Sequence, residues 1–96
     1  MKRVDALHRM RLVLPDLRRE FGVLRAGLFG SVARGNAHDK SDVDVLVELA
    51  QPLSYFDLVR LEEAVTAALG QKADVVVRSA VRPALLAQID ADLIPV

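Results

Sequence analysis

The sequence contains no cysteine. Disulfides and thiolate metal sites are therefore excluded, and a reducing compartment suits the chain. Nor is there an excess of either charge, since 13 lysines and arginines offset 13 aspartates and glutamates. A protein that grips nucleic acid through its phosphates normally carries a basic surplus, so direct nucleic-acid binding is not expected. The two histidines, His8 and His38, lie far apart and lack metal-ligand spacing. No apolar run is long enough to span a bilayer, which argues against a membrane protein. The opening segment MKRVDALHRMRLVLPDLRRE is charged throughout and lacks the apolar centre of a secretion signal. Repeats, low-complexity tracts and long linkers are also missing. The expectation is one cytoplasmic domain over residues 1–96.

Apolar residues, by contrast, are plentiful: 52% of a 96-residue chain. That is enough for a core, and it also permits an apolar surface reserved for a partner. Leu7, Met10, Leu14, Leu17 and Phe21 recur at spacings of three and four, one face of a helix. Pro15 lies inside the pattern and predicts a kink, or a break from which a second short helix starts. Gly22 ends this segment. Residues 23–29 read as a first strand. Ser31 then reads as the N-cap of one or two helical turns that Gly35 stops.

Residues 36–41 read as loop, and the following DVDVLVELA is the most strand-like stretch of the chain. Ser54, with Asp57 in the first turn, caps a helix whose buried face is Leu58, Leu61, Val65 and Leu69 and which Gly70 closes. Residues 72–79 form a third strand. Pro83 starts a last helix through Leu85, Leu86 and Ile89 that frays into DLIPV. Strands alternating with helices in this way predict an α/β (α+β) domain, a small sheet flanked by helices.

The chemistry concentrates in GSVARGNAHDKSDVD, residues 30–44. Residues i and i+2 of a strand share a face, about 7 Å apart along it. Asp42 and Asp44 therefore point together while Val43, Val45 and Val47 pack on the other side. Such a pair repels itself unless a cation intervenes. Magnesium suits it, because that ion takes oxygen ligands and binds through a few carboxylates plus substrate phosphates. Two such ions, about 4 Å apart, could clamp the attacking and leaving oxygens of a phosphoryl or nucleotidyl transfer.

Asp74 begins another strand, and as a sheet neighbour it could complete the metal site and orient or deprotonate an attacking hydroxyl. Gly30-Ser31 stands where a strand turns into a helix. The glycine lets a phosphate approach the backbone, and amide hydrogens and the serine hydroxyl can meet it. Arg34, one turn on, could bind a phosphate bidentately, and Lys40 is a further cation. Each feature alone is ordinary: "DVD" by itself would be structural in roughly two cases of three. Their order is much less ordinary.

Glycine-serine, ten residues, then aspartate-x-aspartate resembles the signature of the DNA polymerase beta-type nucleotidyltransferases. GLFGSVARG and SDVDVLVEL are similar to the minimal nucleotidyltransferases, the MntA-type antitoxins of HEPN/MNT toxin–antitoxin pairs. The likeness runs along nearly the whole chain. It implies a minimal sheet with flanking helices, Gly30 and Ser31 holding the triphosphate of ATP, and Asp42, Asp44 and Asp74 binding magnesium. Asp74 would also lie near the attacking hydroxyl, and Arg34 matches the motif. It further implies a HEPN ribonuclease toxin as partner, silenced by transfer of AMP to a tyrosine hydroxyl. Two other readings stay open: stoichiometric masking of the toxin, and nucleotidyl transfer to a small molecule. A chain this short leaves little with which to build a small-molecule pocket.

Overall fold

Met10, Leu14, Leu17 and Phe21 are all buried on one face of the first helix, α1 (Arg3–Phe21), and Leu7 is half-buried beside them. The computed structural model describes residues 1–38 and 40–96; Asp39, within the expected loop, lies outside the described residues. Of the two expectations at Pro15, the break does not occur: α1 runs from Arg3 to Phe21 through it. The ring faces solvent, so the Arg11 carbonyl that loses its amide partner is open to water. Gly22, at φ 72°, terminates the helix in the left-handed region.

Next come β1 (Val23–Phe29), a short helix α2 (Gly30–Arg34), β2 (Val43–Leu49), α3 (Tyr55–Leu69) and β3 (Ala73–Val77). A 3-10 turn (Arg78–Ala80), α4 (Pro83–Asp92) and β4 (Ile94–Pro95) complete the chain. Ser54 caps α3 as its sequence predicts, its hydroxyl accepting from the Asp57 amide at 3.1 Å. Leu61, Val65 and Leu69 are fully buried, while Leu58 is only half-buried.

The strands form one mixed sheet in the order β3-β2-β1-β4. β1 runs antiparallel to β2 and β4, and β2 runs parallel to β3, with α3 as the crossover. Alternation along β2 decides the layering. Val43, Val45 and Val47 have no exposed surface and join the core under α1 and α3. Asp44, Leu46 and Glu48 project from the opposite face.

The tail departs from expectation, because Ile94–Pro95 pairs with Gly27 and Leu28 instead of fraying. The Val96 amide adds a bond to the Ala26 carbonyl at 2.9 Å. Gly27 makes this approach possible: a Cβ there would stand 2.7 Å from Leu93 Cδ1 and 3.1 Å from the Ile94 carbonyl oxygen. At the other edge, α3 side chains cover the free side of β3. Thr66 Oγ1 accepts from the Ala73 amide at 3.1 Å, and Glu62 Oε2 accepts from the Val75 amide at 3.2 Å. Two amides that could recruit a foreign strand are thereby satisfied within the chain.

Candidate functional site

The parallel register of β2 and β3 sets Asp44 directly opposite Asp74. The antiparallel register of β1 and β2 sets Asp44 opposite Phe29, the residue before Gly30. Asp42 lies two positions before Asp44, on the same face. Asp44 of β2, Asp74 of β3 and Asp42 just before β2 are thus close enough to act on one another, beside the turn from β1 into α2.

Gly30 is where the turn and the carboxylate meet. Its φ is 73°, and a Cβ there would overlap Asp44 Oδ2 and lie 3.1 Å from Asp44 Cγ. Only glycine fits both the backbone conformation and the space. Ser31 is not the helix cap that its sequence predicts. Phe29 occupies that position without a side-chain bond, and Ser31 is the second residue of α2. The chain therefore bends one residue earlier, where glycine can take the left-handed conformation. The first amides of any helix lack intrahelical acceptors, and the half-buried Ser31 belongs to that first turn. Gly35, at φ 78°, ends α2 as expected.

The crowding of charge is visible at Asp44, whose carboxyl is pushed above its ordinary pKa of 3.8. Burial is the largest cause, and the neighbouring Asp74 and Asp42 follow, while Arg34 opposes them. Arg34 donates from Nη1 to Asp92 Oδ2 at 2.6 Å. Lys72 Nζ stands 3.8 Å from Asp42 Oδ2, a lysine near the pair that the sequence reading did not single out. The loop before β2 is braced: Ser41 Oγ accepts from the His38 amide at 2.8 Å, and Gln71 Nε2 donates to the Ser41 carbonyl. Lys72, Gln71 and Asp92 escaped the sequence reading because nothing in their spacing links them to residues 30–44.

The donor chemistry fits a hard cation. Burial and two neighbouring carboxylates disfavour charge on Asp44, and a glycine holds the backbone against its oxygen. Among the described residues no three acidic or histidine side chains converge into a closed metal cage as they stand. Magnesium does not require one, since two carboxylates plus substrate phosphate oxygens are its usual protein environment. A cleft of about 350 Å³ elsewhere is lined by Arg25, Glu48, Arg78 and Asp90, among others. Its charges pair with one another: Arg78 with Asp90 at 2.7 Å, and Glu48 with Arg25 at 3.4 Å and Arg78 at 3.9 Å. That network braces α4, and the acidic row is the better candidate site.

The turn at Gly30 thus abuts the Asp44 carboxylate, with Asp74 in register beside it. The chain belongs to the nucleotidyltransferase domain family, whose model matches residues 10–94. Membership implies a nucleotide substrate and a divalent metal. The chain is 42% identical over 67 residues to protein adenylyltransferase MntA of Thermococcus cleftensis, covering 70% of this chain and 68% of the relative. A solved structure of a candidate minimal nucleotidyltransferase superposes with a TM-score of 0.85 at 34% identity, covering 100% of this chain and 97% of the other. The MNT antitoxin complexed with a tri-AMPylated HEPN toxin of Shewanella oneidensis gives a TM-score of 0.71 at 20% identity. That match covers 94% of this chain and 70% of the other, and shows likeness of fold. No helix among the described residues is long and apolar enough to cross a membrane.

Proposed function

We propose that this chain is a magnesium-dependent protein adenylyltransferase. It transfers AMP from ATP to a tyrosine hydroxyl of a HEPN-type ribonuclease toxin, and so acts as that toxin's antitoxin in a cytoplasmic hetero-oligomer. The observation that carries the reading is the register of Asp44 opposite Asp74, with Gly30 pressed against Asp44. The name of the Thermococcus relative and the AMPylated toxin held by the Shewanella antitoxin support the choice of nucleotide and partner.

Each residue has a role that its position supports. Gly30 admits the triphosphate to the backbone, and Ser31 donates a hydrogen bond to it. Arg34 neutralises part of its charge. Asp42 and Asp44 would hold magnesium, two ions, with Asp74 completing the set; bound there, the metal would neutralise the phosphates and polarise the phosphorus under attack. Asp74 faces the incoming hydroxyl and receives its proton as the oxygen–phosphorus bond forms. The bond between the α-phosphorus and its bridging oxygen breaks, and pyrophosphate leaves. The acceptor arrives on the partner's surface, which fits an acidic row on an open face of a single 1–96 domain.

Incubation with ATP, magnesium and the HEPN partner gene product, read by intact mass, should add one or more AMP masses to the partner. Asp42→Ala/Asp44→Ala should abolish the increment while the protein remains folded. An unlabelled but silenced toxin would establish masking in place of catalysis. Undiminished labelling by the double variant would remove the metal-site assignment.

A further inference from the structure

Two aspartates near the end of α4 reach different parts of the molecule. Asp90 takes both arms of the Arg78 guanidinium, at 2.9 and 2.7 Å, and ties α4 to the turn after β3. Asp92 takes a single arm of Arg34, Nη1 at 2.6 Å. A guanidinium carries five N–H donors in one plane, so a single-arm contact leaves donors for another acceptor. The Asp92 side chain is the more enclosed of the pair, 29% exposed against 48% for Arg34. The carboxylate is therefore the fixed member and the arginine the held one.

Both ends of this contact are anchored for reasons unrelated to each other. Arg34 is the last residue of α2, the helix that opens with Gly30 and Ser31, and its charge reaches Asp44. Asp92 precedes Leu93, which lies against Gly27, and the two residues of β4 that pair with β1. The C-terminal segment thus runs from a hydrogen-bonded position in the sheet to one carboxylate on Arg34. Besides pairing with Asp92, Arg34 acts electrostatically on Asp44, which stands in the acidic row with Asp42 and Asp74. An arginine collapsed onto them would neutralise the very charges that the site needs unpaired.

We propose that Asp92 is a positioning residue of the nucleotide site: by holding one arm of Arg34 it keeps the guanidinium off the acidic row and aims its remaining donors at the incoming triphosphate. The inference rests on the nucleotidyltransferase reading above. It adds a residue from the far end of the chain to that site. Fixing the side chain beforehand also removes rotamer freedom that binding would otherwise have to remove.

The test is equilibrium binding of the ATP analogue AMP-PNP, with magnesium, measured by calorimetry on the full chain without any acceptor. Asp92→Asn should raise the Kd about fivefold, the scale of one exposed ion pair, and Asp92→Glu should restore most of the affinity. Arg34→Ala should weaken binding about tenfold or more, as a lost charge-assisted contact does. In the Arg34→Ala background, Asp92→Asn should then change nothing further. Asp90→Asn, which loosens the other brace of α4, should lower the melting temperature yet leave the Kd within about twofold.

Tighter binding by Asp92→Asn would overturn the proposal, because Asp92 would then be withholding Arg34. An equal loss in the Arg34→Ala background, or from Asp90→Asn, would overturn it by making the effect a general loosening of α4. If Arg34→Ala binds normally, the phosphate role of Arg34 itself falls.

Discussion

Replacing Gly30 by alanine should damage the protein in two separable ways, and Gly35 provides the control. Both glycines sit at nearly the same backbone angle, φ 73° and 78°. A Cβ at Gly35 meets nothing within 4 Å, whereas one at Gly30 overlaps Asp44 Oδ2. Gly35→Ala thus carries only the cost of an L-residue in the left-handed region, about 1–2 kcal/mol. Gly30→Ala carries the same strain plus an overpacking term of about 1–3 kcal/mol. A domain of this size has a total stability of about 5–14 kcal/mol, and each kcal/mol moves the melting temperature by about 4–8 °C. Both variants should fold, with Gly30→Ala melting distinctly lower.

Asp44→Ala should erase the difference, because it removes the two atoms nearest the added Cβ and leaves the Asp44 Cβ at 3.4 Å. Thermal and urea unfolding of the single and double variants would measure the coupling directly. Equal losses from Gly30→Ala and Gly35→Ala, or an excess that persists without the Asp44 carboxylate, would refute the close approach on which the site is built.

Asp44→Asn should stabilise the protein at neutral pH. The folded-state pKa of Asp44 lies above its ordinary 3.8, so the folded protein binds more protons than the unfolded chain between those values, and ionised Asp44 costs stability above them. The advantage of the asparagine should shrink as pH falls through the raised pKa and vanish below 3.8; urea midpoints showing the same gap at pH 7 and pH 3.5 would assign it to packing. Pro15→Ala should restore the missing hydrogen bond in α1 and raise stability by about 1–3 kcal/mol, which an unchanged or lower urea midpoint would contradict.

Much of this protein is readable from its sequence because its determinants are local. The two-residue alternation of β2 sends Val43, Val45 and Val47 to one face and Asp44 to the other, with Asp42 just before the strand. Three glycines end helices at Gly22, Gly35 and Gly70, each in the left-handed region, and Ser54 caps α3 through a bond three residues away. The resemblance carried by residues 30–44 therefore led to the right family and the right class of fold.

What the tertiary structure decided is everything that depends on register or on a close approach between distant segments. Asp74 faces Asp44 only because β3 pairs in parallel at that register. Ser31 yields the cap position because Gly30, pressed against Asp44, is where the chain can turn. In α4, Leu85 is 53% exposed while Ile89 is buried, since α4 meets the rest of the protein near its C-terminal end. The tail expected to fray is a strand, because Gly27 leaves room for it on β1. That strand sets Asp92 against Arg34, 58 positions apart in sequence. Periodicity and capping act within a few residues and are written in the chain; such pairings exist only once the sheet has closed.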